Sequence, residues 1–350
     1  MRTVLVVRLD SAGDVLLAGP AVRAVAAQAD RVVLLAGPRG RDAAALLPGV
    51  NRVVEWRCPW IDPEPDPVGD SGVCSAAAMI RGLDASEAVI FTSFHQDPLP
   101  TALLLRLAGV PRVTAACDDY PGSLLDVRHR LPADGLHEVE RMLSVAAAAG
   151  FPPPADTALR LRAPLPSVPG PVGPAGYIVV HPGASVPARA ASPGRCAEYA
   201  RALAGHVGRV VVTGTRAERP LTRAVAGEWA LDLGGQTGLA ELAAVLAGAA
   251  AVVTGNTGPA HLAAAAGTPV VSLFAPVVPA ERWRPWGVPH VLLGAQDAPC
   301  AGSRARHCPV PGHPCLDEVT ADEVVAAVRR LVGPAPDFRD GPADRMEVSA

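Results

Sequence analysis

Two short stretches carry residue types able to act on a substrate. In "VVTGNTGPAHLAAAAGTPVVSLF", residues 252–274, a β-branched run ends at Gly255, Asn256, Thr257 and Gly258, and a small-residue helix follows, opened by Pro259. The first-turn amides of such a helix have no partner within it, and its dipole favours an anion. Thr257 and His261 add side-chain donors, and the glycines let an anion approach the backbone. The Lys of a Walker loop and the third glycine of the dinucleotide fingerprint are missing. Alone, the pattern fits either a phosphate-like anion site or a tight structural turn. The second stretch, "VVRLDSAGDVLLAGPAVRAV", places Asp14 after Gly13 at a strand-to-helix junction. A carboxylate there is a helix-capping or first-turn acid, or a general base aimed at a reacting hydroxyl. Asp10 is the neighbouring candidate, before the turn.

Two further loops add to the set. In "VVHPGASVPARAASP", Gly183, Ala184 and Ser185 offer amides and a hydroxyl, and Arg189 a cation; a plain turn with a surface Arg is the alternative. In "VVTGTRAERP", Glu218 follows a strand and Gly214. A carboxylate beyond a strand end suits ribose hydroxyls, or it complements a helix dipole. Two anion-type loops on one sheet favour a diphosphate held between them.

The elements that must position these residues alternate along the chain. Strand-like runs at "TVLVVRL", "RVVLLAG", "EAVIFTS" and "RVTAA" alternate with helices expected over 14–28, 75–84, 98–108 and 135–149. After a stretch crowded with Pro and Gly the pattern restarts at "YIVVHPG", "RVVVTG", "ALDLG", "AVVTG" and "PVVSLF", with helices over 193–206, 217–228, 239–247, 259–266 and 320–332. Such alternation predicts an α/β fold of two doubly wound parallel-sheet domains facing a central cleft. The expected layout is an N-terminal domain over 1–155, a linker over 156–176, a C-terminal domain over 177–332 and a disordered tail over 333–350. Ligands in such sheets sit beyond the carboxyl ends of the strands, where the four loops lie.

Composition bounds the function. With 350 residues, 49% hydrophobic and 19% charged, the chain can bury two cores. A net charge of −3 argues against a nucleic-acid binder. The sequence holds no lysine, so any cationic contact must use Arg or His. No apolar run is long enough for a signal peptide or a membrane span, so a soluble cytoplasmic protein is expected, with at most peripheral membrane contact. Cys300, Cys308 and Cys315 cluster beside His307 and His313 in a Pro-rich loop. Their spacing matches no tight zinc knuckle, so packing or oxidative cross-linking is expected rather than metal binding.

In order along residues 3–331, "RLDSAGDVLLAGPAVRAV", "HPGASVPAR", "GNTGPAHLAAAAGTPVVSLF" and the late "PC…CPVPGHPCLDEV" resemble the heptosyltransferase-like glycosyltransferase family 9. The resemblance implies a GT-B architecture of two Rossmann-like domains, with the donor nucleotide on the C-terminal one. It implies an inverting transferase using ADP-L-glycero-β-D-manno-heptose, with no metal and no other cofactor. Asp14 then matches the family's base, with Gly13 beside it on the acceptor side. Ser185 matches a phosphate-contacting hydroxyl, Glu218 the acid near the ribose, and Gln236 the adenine region. Thr257, Gly258 and His261 match the diphosphate-binding turn. Arg189 stands where the family usually has Lys, which keeps charge but not geometry. Asn256 stands where Asp is common beside the donor sugar, and Ala190 and Ala191 replace Arg-Trp. The implied partners are a nucleotide-sugar donor, an ADP-sugar, and a glycan, glycolipid or small-molecule acceptor. The rival readings are a non-catalytic nucleotide-sugar binder and a nucleotide-sugar epimerase on the same fold.

Overall fold

The computed structural model describes residues 1–131 and 135–333; the expected tail, from residue 334 on, lies outside the described residues. In the N-terminal half the apolar runs become β1 (Thr3–Arg8), β2 (Arg31–Ala36), β3 (Arg52–Glu55), β4 (Glu87–Ile90), β5 (Val113–Ala116) and β6 (Val127–His129). The helices between them are α1 (Ala12–Leu17), α2 (Gly19–Ala26), α3 (Arg41–Ala45), α4 (Asp70–Arg81), α5 (Leu99–Leu107) and α6 (Glu138–Ala148). The C-terminal half repeats the plan with β7 (Tyr177–His181), β8 (Val210–Val212), β9 (Leu231–Asp232), β10 (Ala249–Gly255), β11 (Val270–Leu273) and β12 (His290–Leu293). Its helices are α7 (Pro193–His206), α8 (Arg219–Ala226), α9 (Leu239–Ala247), α10 (Gly258–Ala265), α11 (Ala280–Trp283), α12 (Pro314–Asp317) and α13 (Ala321–Val332).

Each half is a six-stranded, wholly parallel sheet, ordered β3-β2-β1-β4-β5-β6 and β12-β11-β10-β7-β8-β9. Numbered within its own half, the second sheet has the same order as the first, that of a dinucleotide-binding fold. The central strands are buried along their length because helices cover both faces. The chain order reverses between β1 and β4, and again between β7 and β10, and each reversal opens a crevice at the carboxyl ends of the strands.

The single helix expected over 14–28 is two, α1 and α2, parted at Ala18. Pro20 has no N–H to continue the ladder, and its ring crowds the preceding turn. Three strands that carry no long apolar run, β3, β6 and β12, are edge strands and only partly buried.

The two halves are not merely tethered. One apolar cluster runs through both, joining Leu17, Val22, Leu47 and Met142 to Leu242, Val245, Leu246 and Leu262. The Pro-rich stretch before β7 has neither strand nor α-helix. It is pinned to the first half: Arg23 donates to the Asp156 and Ala158 carbonyls, and the Arg162 amide to Leu46. No helix among the described residues is long and apolar enough to cross a membrane.

Candidate active site

The two crevices open onto one cavity of about 140 Å³. Gly13 and Asp14 border it from the first half; Ser185, Arg189, Asn256, Thr257, Gly258 and His261 border it from the second. Eight of the ten residues singled out by sequence therefore converge.

On the N-terminal side, Arg8 ends β1 with no exposed surface, an unusual place for a guanidinium. It is tolerated because acids surround it: Asp10 at 3.2 Å, Asp14 at 3.3 Å and Glu138 at 3.8 Å. Ser11 donates to the other Asp14 oxygen at 2.7 Å. Burial pushes the Asp14 carboxyl up, but Arg8 and the Ser11 hydroxyl outweigh it and hold Asp14 below the ordinary range, ionised. Asp10 moves the other way: burial raises it, and the neighbouring Asp14 charge adds to that. Its oxygens are taken by Arg8, Gln96 and Ser93, so Asp14 is the freer carboxylate.

On the C-terminal side of the cavity, three buried polar atoms have no partner among the described residues: Arg189 Nε, Thr257 Oγ1 and His261 Nδ1. Buried polar groups are almost always hydrogen-bonded, so three orphans around one cavity mark a place for a polar ligand. Burial, more than any neighbour, lowers the His261 pKa to about 4, so its imidazole is neutral at pH 7 and acts as a hydrogen-bonding group rather than a cation. The two sides meet through glycine. A Cβ on Gly13 would lie 3.0 Å from His261 Cδ2 and 3.3 Å from Gly258 Cα, so α1 and α10 approach this closely only without one. Gly255 plays the same part at the end of β10, where a Cβ would strike the Arg189 carbonyl oxygen.

Three of these residues are engaged within the protein. Asn256 borders the cavity, but its amide is already occupied, accepting from the Ala275 N–H at 3.2 Å and donating to its carbonyl at 3.3 Å. It ties the loop after β10 to the end of β11, which an aspartate could not do with both atoms. Glu218 and Gln236 do not border the cavity. Glu218 closes a capping box, accepting from the Thr215 amide at 2.7 Å and hydroxyl at 2.8 Å, with its carboxylate packed against Gly183. Gln236 is exposed beyond β9 and donates to the Asp232 carbonyl. Both stand past the strand ends next in line from β7, on a path leading away from the turn after β10.

Neither Arg8 nor Glu138 stands out in the sequence. A charged residue at the carboxyl end of a central strand is itself a signal, since that end lines the crevice. His95, which borders the same cavity, was also missed; burial and then Arg304 lower its pKa to about 4. A second cavity, about 230 Å³, opens on the N-terminal side between Phe94, Asp97, Asp118 and Arg141. Cys300 and Cys315 are buried free thiols in the second core, and Cys308 is half-buried. Among the described residues no group of three His, Cys, Asp or Glu side chains is placed to hold a metal ion.

The family model of glycosyltransferase family 9 (heptosyltransferase) matches residues 78–313, more than half of the chain. No curated protein matches the sequence. Among solved structures the chain is similar to Escherichia coli ADP-heptose lps heptosyltransferase II, with a TM-score of 0.72 at 19% identity over 95% of this chain and 98% of that one. It is similar to a family 9 glycosyl transferase from Veillonella parvula, with 0.73 at 16% identity over 95% and 97%. The E. coli heptosyltransferase WaaC, solved with ADP-2-deoxy-2-fluoro heptose, gives 0.70 at 19% identity over 94% and 99%. The facing pair of Rossmann-like sheets is thus the GT-B architecture. With both the sequence of its central two-thirds and its fold accounted for, the chain belongs to glycosyltransferase family 9, the heptosyltransferase family.

Proposed function

We propose that the protein moves a heptose from an ADP-heptose donor to an acceptor hydroxyl with inversion, Asp14 serving as general base. One observation carries the reading: an ionised carboxylate from one half and three unpartnered polar atoms from the other border a single cavity. The acceptor oxygen attacks the anomeric carbon as the bond to the diphosphate breaks, and Asp14 takes the hydroxyl proton. Negative charge grows on the leaving nucleoside diphosphate. Arg189, Thr257, His261 and the Gly258 amide that opens α10 are fixed donors aimed at that charge. Ser185 borders the same space. The ribose and base would run outward past Glu218 and Gln236.

The donor is argued by likeness. WaaC was solved with ADP-2-deoxy-2-fluoro heptose and with ADP, and the present chain shares its fold. The acceptor, a surface glycan, a lipopolysaccharide-like molecule or a small molecule, would enter from the N-terminal side.

Calorimetric titration with ADP, UDP and GDP on wild type, Asp14→Asn and His261→Ala tests the reading, together with ADP release from ADP-heptose. ADP should bind best, His261→Ala should weaken it, and Asp14→Asn should bind normally while losing roughly 10²–10⁴-fold in turnover. Preference for UDP or GDP overturns the donor assignment. Nucleotide binding without turnover, indifferent to Asp14, makes the protein a binder.

A further inference from the structure

Glu138 is the carboxylate of this neighbourhood that the chemistry above leaves unused. It opens α6 with no exposed surface, and neither of its oxygens has a hydrogen-bond partner among the described residues. Its closest counter-charge is Arg8 Nη2 at 3.8 Å, the same nitrogen that lies 3.3 Å from Asp14 Oδ1. One guanidinium nitrogen therefore stands between two carboxylates, one bordering the cavity and one sealed off from it. A buried acid with no hydrogen bond is costly, and packing alone would be met better by an apolar side chain of similar size.

Taking Asp14 as the base, we infer that Glu138 is a positioning residue that sets the basicity of Asp14 through Arg8. When Glu138 is ionised, Arg8 divides its positive charge among more carboxylates, and Asp14 accepts a proton more readily. When Glu138 is protonated, the Arg8 charge falls on Asp10 and Asp14 alone and Asp14 becomes a weaker base. Burial pushes the Glu138 carboxyl up to about 7 against the pull of Arg8 and Arg141, so it changes state within the working range of pH.

The groups that face Glu138 are few. They are Arg8 from β1, Asp14 from α1, Arg141 from the next turn of α6 and Arg282 from α11. On other elements packed against α6 the charged or titratable groups are engaged elsewhere. Arg23 of α2 donates to backbone carbonyls at residues 156 and 158, and His129 of β6 pairs with Ser144. Arg141 turns its Nε to the Thr92 carbonyl.

The test follows ADP release from ADP-heptose, with water as acceptor, from about pH 5.5 to 9. It uses wild type, Glu138→Gln and Asp14→Asn, with ADP affinity measured alongside. In wild type, kcat should rise through about pH 7. Glu138→Gln, neutral and near-isosteric, should lose that step and stay at the low-pH rate, up to about tenfold below the alkaline plateau, the worth of one pKa unit in the base. Its ADP affinity should not change, because Glu138 does not reach the cavity. A step near pH 7 that survives in Glu138→Gln overturns the inference. So does a wild type with no step, a result that needs no variant to fold. Turnover retained in Asp14→Asn instead overturns the base assignment. A wild type that releases no ADP overturns the donor assignment and this inference with it.

Discussion

Thr257 holds the N-cap of α10, where a threonine hydroxyl ordinarily closes onto a backbone amide, yet it makes no such bond. Its Oγ1 is buried and unpartnered. That arrangement costs stability in the empty protein and is recovered only when a ligand supplies an acceptor. Thr257→Val should therefore split two quantities. Thermal stability without ligand should hold or rise, because no hydrogen bond is lost. ADP affinity should fall by about 1.5–3 kcal/mol, the worth of a hydrogen bond to a charged group. Parallel losses in both would make the hydroxyl a structural cap. The turn and the Gly13-Asp14 pair were legible in the sequence because their chemistry is local, written in adjacent residues. Arg8 and Glu138 were not, since 130 positions separate them and only the fold brings the start of α6 to the end of β1. The tie that Asn256 makes was not legible either, because its partner, the Ala275 backbone, belongs to another strand end.

At the scale of elements, the contact of α1 with α10 decides whether the site exists at all, because it sets Asp14 opposite the anion turn. Gly13 lies within α1, where alanine would gain about 1 kcal/mol of helix propensity. The added Cβ, however, would press on the His261 ring at 3.0 Å and the Gly258 backbone at 3.3 Å. The ring can turn slightly but the backbone of α10 cannot yield cheaply. Gly13→Ala should thus leave the melting temperature within a few degrees of wild type while weakening ADP binding and turnover. A fully active variant would mean the helices part without consequence. Long, buried elements were legible: α7 and α9 begin and end where the pattern of the chain places them. The edge strands β3, β6 and β12 were not. An edge strand is covered less, so the sequence carries no continuous apolar run to announce it. The break between α1 and α2 was written in Pro20, and the longer apolar pattern masked it.

For the whole molecule, both halves were legible as repeated α/β units. Their shared core was not, since an apolar helix face does not say whether it meets its own sheet or the other domain. That shared core ties pH to the integrity of the cleft. His137 caps α6 by accepting the Val139 N–H on Nδ1, so its proton sits on Nε2, which donates to the Arg284 carbonyl across the interface at 2.9 Å; its ring lies 4.5 Å from that of Trp286. A second proton would turn Nδ1 toward another N–H and open both the cap and the interface. Burial accordingly lowers its pKa to about 3, and burial lowers His181 and His261 to about 4. Unfolded, each titrates near 6.5. Between about pH 6.5 and 4 the unfolded chain binds more protons, so stability falls as pH falls, by roughly 3 kcal/mol for each of the three at the acid end. Glu138 opposes this. Its folded pKa of about 7 lies above its unfolded value, so its contribution is complete below about pH 4.5 and is lost as pH rises through 7. It is worth about 3 kcal/mol at most, one group against three, and a domain of ordinary stability has only about 5–15 kcal/mol in all. The urea midpoint should therefore change little between pH 8 and 6.5 and then drop steeply, with the two halves unfolding together because they share His137 and one core. A midpoint that held steady down to pH 4.5 would show that the buried imidazoles do not govern stability, and two separate transitions that His137 and the shared core do not fasten the halves.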